Sequence, residues 1–366
     1  MDFKIEKSLL QKGLSLAAGI ADRKNTLPIL ANVLIRTDGK NRIICAATDL
    51  HVTLIAELPA KVEKEGGLTL AAKQFGDIVR GLASDEVHIS RTEQNWAEIR
   101  NGRSEFKVVG MADREYPKLP ALGEVKTVEI KPAVLCEMIE KTAFSVSNDE
   151  TRQHLAGVLF ECDGNRARMV STDGHRLSKV ERDFQGPALE KGILIPRKGI
   201  MEIRRLLEGR EKPCDFGIDG SNLVVKADEL TLTIKLSDSQ FPPYQQVIPK
   251  EYERKVFVPR DALLDALKRV SIMASDKTFG VRLSVEKGWL GIEADSPDMG
   301  NARERIEIGY QGTPVAVGFN ARYFIDFLGE LDGPEVQIEV AGELDPVVLR
   351  SSDSGDYLGV VMPMRL

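Results

Sequence analysis

The sequence has little of the chemistry that metal proteins and exported proteins use. Its four histidines are isolated and its four cysteines show no CxxC spacing, so no metal site is expected. Cys45, Cys136, Cys162 and Cys214 are interpreted as reduced thiols of a cytoplasmic protein. No apolar run approaches the roughly 20 residues of a membrane span, and the first residues lack the apolar core of a signal peptide. We therefore expect no membrane partner and a cytoplasmic location.

The motifs of common enzymes are also missing. No GxxxxGK[ST], GxGxxG, GxSxG or HExxH occurs, so neither a cofactor nor a catalytic site is predicted. Asp173 and His175 could form an acid–base pair, but no nucleophile is evident beside them, and a structural loop with a polar rim is the alternative. The acidic stretch from Asp295 resembles a calcium loop but has Ile306 in place of the closing Glu.

The chain instead carries a long internal repeat. Residues 29–57, 154–182 and 278–306 share the order strand, turn, strand, acidic loop, strand, and they are spaced by about 124 residues. Their turns are predicted at Asp38-Gly39, Asp163-Gly164 and Lys287-Gly288. A repeat of this length is a whole domain, so the sequence predicts three similar domains.

In each repeat the spacing of apolar residues predicts one helix before these strands and a second helix after them. Further alternating strands follow the second helix. The second helices are predicted within residues 68–82, 193–207 and 315–331. Strands with one polar face favour antiparallel sheets that pack on helices, which is an α+β class. We place the domains at residues 1–125, 126–253 and 254–366.

Charge is distributed unevenly between the predicted helices and strands. The net charge is −6, yet the helical windows together are positive and the remainder is more acidic than the whole. Ordinary solvated helix faces would explain this pattern. Alternatively, the helices line one surface that faces a polyanion, holding its backbone without reading bases.

Several short motifs lie in register with the threefold repeat: residues 26–30 (TLPIL), 172–177 (TDGHRL), Phe241-Pro242 with Tyr244, 280–283 (GVRL), 318–320 (GFN) and 361–366 (VMPMRL). With these motifs the chain resembles the bacterial DNA polymerase III β subunit, the β sliding clamp or processivity factor, along its whole length. The resemblance implies a non-catalytic subunit of the polymerase holoenzyme with three DNA-clamp-fold domains. Two copies would form a head-to-tail homodimeric ring of six domains that encircles duplex DNA.

The resemblance also implies partners and a pocket for their short peptides. The expected partners are double-stranded DNA bound without sequence preference, a second copy of the chain, the replicative polymerase α subunit, the clamp loader, repair polymerases and other clamp-binding proteins. The alternative for the pocket residues is interdomain core. The matching positions are Leu155, Thr172, Gly174, His175, Arg176, Leu177, Pro242, Val247, Asn320, Tyr323, Val360, Val361, Met362, Pro363, Met364 and Arg365.

Positions that would face DNA and the dimer seam are implied in the same way. The DNA-facing candidates are Arg23, Lys24, Arg152, Arg197 and Lys198, and Asp149 departs from the neutral polar residue usual in relatives. Gln246, Leu344, Pro346 and Phe279 depart from the usual pocket rim. The seam candidates, some of which could be simple core residues, are Lys73, Gln74, Phe106, Val108, Ile272, Met273 and Asp298.

Two further hypotheses remain open at this point. The chain could be a peptide-binding scaffold that does not encircle DNA, in which case it would keep the pocket without the ring. It could also be an enzyme that uses Asp173 and His175. A solution mass distinguishes the scaffold from the ring, and loss of a turnover on substitution of both residues would identify the enzyme.

Overall fold

The computed structural model describes residues 1–21, 26–120, 125–149, 151–249, 252, 254–275, 278–352 and 356–366. Over these residues the helices lie where the apolar periodicity predicts them. The helices are α1 (Lys7–Ile20), α2 (Ala72–Gly81), α3 (Pro132–Ala143), α4 (Arg197–Leu207), α5 (Arg260–Val270) and α6 (Ala321–Gly329).

The strands of the three repeats follow the predicted order, except that each repeat opens with a strand before its first helix, which the sequence patterns did not predict. The first repeat holds β1 (Asp2–Glu6), β2 (Asn32–Asp38), β3 (Arg42–Thr48), β4 (Val52–Pro59), β5 (Lys61–Lys64), β6 (Gly67–Ala71), β7 (Glu86–Arg91), β8 (Trp96–Asn101) and β9 (Ser104–Val109). The second holds β10 (Thr127–Ile130), β11 (Gly157–Cys162), β12 (Arg166–Thr172), β13 (Arg176–Asp183), β14 (Ile193–Pro196), β15 (Cys214–Asp219), β16 (Asn222–Ala227) and β17 (Leu230–Lys235). The third holds β18 (Arg254–Pro259), β19 (Gly280–Glu286), β20 (Trp289–Ser296), β21 (Gly300–Glu307), β22 (Val315–Asn320), β23 (Glu335–Val340), β24 (Val347–Ser351) and β25 (Tyr357–Val361).

The repeated segments each form a three-stranded antiparallel meander, as predicted. β2, β3 and β4 pair in order, and so do β11, β12 and β13, and β19, β20 and β21. The turn glycines Gly39, Gly164 and Gly288 have φ of +65°, +104° and +77°. Because this region is strained for residues with a Cβ, glycine fits these turns.

The chain divides into two compact units. Unit 1 comprises Met1–Ala133, Gln185–Pro187 and Lys198–Leu236. It holds a five-stranded sheet in the order β5-β1-β7-β8-β9 and an eight-stranded sheet in the order β10-β15-β16-β17-β4-β3-β2-β6. Helix α1 buries Leu10, Leu14 and Ala17 against α2 and strands β3 and β4, and burial of each leucine stabilises the fold by roughly 1.5–3 kcal/mol.

Unit 2 comprises Val134–Phe184, Ala188–Arg197 and Ser237–Leu366. Its eight-stranded sheet has the order β14-β11-β12-β13-β25-β24-β23-β18, and its four-stranded sheet has the order β21-β20-β19-β22. Helices α5 and α6 pack together, and α5 covers β20 and β21 with Leu263, Ala266 and Leu267. Each eight-stranded sheet therefore joins strands from two different repeats.

None of the helices in the described part of the chain is long and apolar enough to cross a membrane.

Candidate functional site

An apolar cavity of about 300 Å³ opens on unit 2 beside the β12–β13 turn. Its floor rests on a buried hydrophobic cluster that includes Leu177, Tyr244 and Val360. Such a cavity suits apolar side chains of a short segment, with a few polar groups to fix orientation. The lining residues are His154, Leu155, Thr172, Gly174, Arg176, Leu177, Pro242, Pro243, Tyr244, Val247, Val360 and Met362.

The turn that joins β12 to β13 forms one rim of the cavity. Thr172 Oγ1 donates to the Arg176 carbonyl at 2.6 Å and accepts the Gly174 N–H at 3.1 Å. Asp173 Oδ1 accepts the N–H groups of His175 and Arg176 at 2.9 and 3.0 Å. Gly174 has φ of +91°, which favours glycine. The Asp173 carboxylate thus has the structural role that the loop interpretation predicts.

Arg176 is the most strongly held side chain of this rim. Its Nε lies 3.1 Å from Asp173 Oδ2, its Nη1 lies 2.5 Å from Asp326 Oδ2, and its Nη2 donates to the Phe144 carbonyl at 2.5 Å. The guanidinium carbon lies 4.7 Å from the centre of the Tyr323 ring. With only 13% of the side chain exposed, these charge-assisted bonds fix α6 against the rim.

Tyr244 forms part of the cavity wall and is anchored at its phenol. The hydroxyl donates to Glu161 Oε2 at 2.9 Å and accepts from Arg168 Nη1 at 3.3 Å. Burial, followed by the hydrogen bond to Glu161, raises the pKa of Tyr244 to about 12. The phenol therefore stays neutral at physiological pH and presents its ring to the cavity.

The C-terminal tail after β25 crosses the edge of the four-stranded sheet. The Met362 N–H donates to the His175 carbonyl at 2.9 Å, and the Met364 N–H donates to the Gly318 carbonyl at 2.8 Å. A Cβ at Gly318 would lie 2.5 Å from the Met364 carbonyl oxygen, and one at Gly280 would clash with the Leu366 side chain. Gly318 is therefore needed for the tail backbone to lie this close to the sheet, whereas at Gly280 only the end of a flexible side chain would have to move.

The structure brings together part of the predicted pocket and arranges the rest around it. Outside the cavity lining, His175 is exposed at the turn, Val361 is buried opposite Arg176, and Asn320 caps α6 by accepting the Arg322 N–H at 2.9 Å. The remaining members are Tyr323, stacked on Arg176, and the tail residues Pro363, Met364 and Arg365. The predicted residues that line the cavity are Leu155, Thr172, Gly174, Arg176, Leu177, Pro242, Val247, Val360 and Met362.

Sequence reasoning did not include three lining residues, His154, Pro243 and Tyr244. The signal for two of them was present in the Phe241–Tyr244 motif, whose adjacent prolines restrict the backbone and whose tyrosine is large enough to form a wall. Among the residues that depart from the usual rim, Gln246 and Leu344 are exposed, and Pro346 accepts a hydrogen bond from Tyr252.

Each DNA-facing candidate that the structure describes has a partner in its own chain. Lys198 Nζ lies 2.5 Å from Asp49 Oδ2, and Arg152 Nε lies 3.5 Å from Asp149 Oδ2. Arg197 donates to the Asn148 side-chain carbonyl. Arg23 and Lys24 lie outside the described residues.

The seam candidates fall into two separate groups. In unit 1, Lys73, Gln74 and Phe106 border an open depression of about 600 Å³, while Val108 is buried in its own sheet. In unit 2, Ile272 is 72% exposed, Met273 lies beside Gly300 at the start of β21, and Asp298 is exposed in the β20–β21 turn.

Three repeated domains, each with helices packed on antiparallel sheets, define a clamp-type fold. The comparisons with known proteins agree. The N-terminal, central and C-terminal domains of the DNA polymerase III beta subunit match residues 1–120, 129–243 and 245–365. The chain therefore belongs to the DNA polymerase III beta subunit family, and it is a DNA sliding clamp, a processivity factor without catalytic activity.

Individual relatives match over the full length. The beta sliding clamp of Vibrio cholerae is 33% identical, and the match covers 100% of both chains. The sliding clamp of Bacillus subtilis has a TM-score of 0.94 at 25% identity, covering 100% of this chain and 99% of that one. The Pseudomonas aeruginosa clamp bound to griselimycin has a TM-score of 0.93 at 32% identity, covering 100% of both chains.

Proposed function

We propose that two copies of this chain close into a ring around duplex DNA in the cytoplasm. The ring tethers the replicative polymerase α subunit, and the clamp loader and repair polymerases use the same pocket. Each copy supplies the three domains at residues 1–125, 126–253 and 254–366.

This proposal rests on a type of strand pairing that occurs twice within the chain. A third pair of strands could form it only between two copies. The last strand of the first meander, β4, pairs with β17, the last strand of the second repeat. The last strand of the second meander, β13, pairs with β25, the last strand of the third repeat. By the same rule, β21 of the third meander should pair with β9, the last strand of a first repeat.

Both strands are available for that pairing. β9 and β21 are edge strands of their sheets and have no second neighbour among the described residues. Apolar side chains are exposed close to each edge, with Phe106 and Val109 on β9 and Ile272 and Met299 near β21. We call a pairing between the last strand of a meander and the last strand of the following repeat a joint. A β9–β21 joint between two copies would cover both edges, which otherwise favour uncontrolled association.

The count of joints favours closure by two copies. Each chain contains two such joints, and each junction between copies supplies one more. A head-to-tail contact gives either a ring or an open filament, depending on whether the rotation closes. Two chains supply six joints, in agreement with six domains around a hole.

The charges on the helices favour a sequence-blind contact with the DNA backbone. Within unit 1, Arg205 donates to the Ser15 carbonyl, so α4 lies beside α1. A polar crevice of about 540 Å³ between them is lined by Lys12, Arg205 and Arg210 among other residues. Cations that contact phosphates supply affinity without base recognition, as a sliding protein requires.

The cavity beside the β12–β13 turn is proposed as the peptide pocket. Its leucine, valine, proline and methionine side chains accept apolar anchors of a peptide. Arg176 keeps the rim in place, and the tail from Met362 extends the surface that a peptide meets. All sixteen predicted positions are retained in this proposal, together with Tyr244.

Retention on DNA tests the ring directly. We expect the clamp, loaded onto a nicked circular DNA by its cognate loader, to stay bound through gel filtration and to be lost after the circle is cut once. Equal retention on circular and linear DNA would contradict encirclement. A sedimentation mass of the monomer at micromolar concentration would favour the scaffold that binds peptides without a ring.

A further inference from the structure

Two of the proposed DNA-facing cations are held by carboxylates that are themselves fixed in place. Lys198 pairs with Asp49 and Arg152 pairs with Asp149. A cation paired in this way has part of its charge already neutralised before DNA arrives. The question is whether these carboxylates only stabilise the fold or also set the strength of DNA binding.

Asp49 cannot move away from Lys198 without loss of its own turn. It is 8% exposed, and its Oδ1 accepts the N–H groups of His51 and Val52 at 2.9 and 2.7 Å. Its Oδ2 faces Lys198 Nζ at 2.5 Å, and the same ammonium donates to the Ile20 carbonyl at 3.1 Å. The Lys198 side chain is nevertheless 40% exposed, so a phosphate could reach it.

Asp149 is fixed by a comparable local turn. Its Oδ1 accepts both the N–H and the hydroxyl of Thr151, at 3.0 and 2.6 Å. These bonds lower the pKa of Asp149, so the carboxylate stays charged. Its Oδ2 faces Arg152 Nε at 3.5 Å, and both side chains are about half exposed, so water and a phosphate compete there.

We propose that Asp49 and Asp149 limit the affinity of the clamp for DNA, because a phosphate must compete with each carboxylate for Lys198 and Arg152. This inference rests on the proposed function, in which these cations face the duplex. A ring that encloses DNA does not need tight contacts to stay bound, and strong contacts would slow its movement. Internal competition keeps the cations in place while weakening each contact.

Neutral, isosteric substitutions test this proposal. D49N and D149N keep the side-chain oxygen that closes each turn and remove the charge that faces the cation. Each should raise the affinity for a short fluorescent duplex by about threefold to tenfold at low salt. Because a ring of two copies carries each substitution twice, the slope of log K against log salt should steepen, by at most about 1.8 if both cations are fully released.

Asp38 provides the matched control. Its Oδ2 lies 2.5 Å from Arg42 Nε in an ion pair outside the DNA-facing set, so D38N changes the net charge equally. A second control removes the cation. If D49N acts by releasing Lys198, it should give no gain in a K198A background, and D149N should give none in R152A. Thermal unfolding of every variant reports whether the fold persists.

The outcomes separate this inference from the proposed function. A gain in DNA affinity that D38N also produces would overturn the inference, and so would a gain that persists in the K198A and R152A backgrounds. Either result would reflect net charge alone. Unchanged affinity and salt slope in both D49N and D149N would overturn it as well. If the wild-type clamp is not retained on nicked circular DNA, the proposed function itself fails. Retention of the wild type without any effect of the variants rejects only the role of the two carboxylates.

Discussion

The close contact between the tail and Gly318 gives a sharp prediction about peptide binding. In Gly318→Ala, the new Cβ would lie 2.5 Å from the Met364 carbonyl oxygen and 2.9 Å from Leu366 Cγ. Backbone oxygen cannot yield in the way that the end of a flexible side chain can, so the tail must move. Gly318 does not have positive φ, so alanine fits the strand itself.

The size of the effect follows from the contact that is lost. Displacement removes the 2.8 Å hydrogen bond from Met364 to Gly318, whose net contribution is about 0.5–1.5 kcal/mol. If the tail must be ordered for a peptide to bind, that free energy appears as weaker binding. Since about 1.4 kcal/mol corresponds to tenfold, the peptide affinity should fall by about twofold to tenfold.

The assay is fluorescence anisotropy with a labelled clamp-binding peptide from the replicative polymerase. Gly291→Ala is the matched control, because Gly291 lies in the same four-stranded sheet and its Cβ would meet Ser284 Cβ at an ordinary 3.6 Å. Hydrogen exchange at the Met364 amide should accelerate in Gly318→Ala and not in Gly291→Ala. Wild-type peptide affinity in Gly318→Ala, with a faster Met364 amide, would refute the role of the tail in recognition.

Three further predictions concern the tail, the seam and acid stability. Deletion of Met362–Leu366 should abolish peptide binding and leave the dimer intact in sedimentation; surviving affinity would show that the pocket is misplaced. Phe106→Asp should give monomers that still bind peptide, and a stable dimer would argue against β9 as a seam strand. The third prediction concerns Glu181. Burial alone would raise the pKa of this carboxyl, but hydrogen bonds from Arg168 and Lys179 lower it to about 2. The ionised carboxylate stabilises the fold fully at pH values above the ordinary glutamate pKa, and this stabilisation is lost as the pH falls towards 2. Glu181→Gln should therefore flatten the decline in unfolding free energy between about pH 5 and pH 2. An unchanged decline would contradict the ion pairing.

Local patterns in the sequence were sufficient for the helices, the meanders and the rim turn. The Thr172–Arg176 stretch, for example, contains a threonine, an aspartate and a glycine that close the turn by themselves. The apolar spacing of Leu263 and Leu267 likewise defines α5 without knowledge of its neighbours.

Contacts between distant strands could not be predicted in this way. β17 pairs with β4, so that Leu232 lies opposite Leu54, but nothing local distinguishes that partner from any other apolar strand. The tail contact at Gly318 is equally non-local, since it depends on where the chain ends in space. The ion pair of Lys198 with Asp49 joins residues far apart in sequence, and charge counting along the chain therefore overstated how free that lysine is.

The repeated joint between β4 and β17, and between β13 and β25, has a consequence for how such rings can be divided among genes. If the angle at each joint fixes six positions around the circumference, the number of polypeptides is a separate variable. A chain shortened to two repeats would require three copies, and a single repeat would require six. Fusion of repeats therefore changes how many joints lie between separate polypeptides without changing the diameter of the ring.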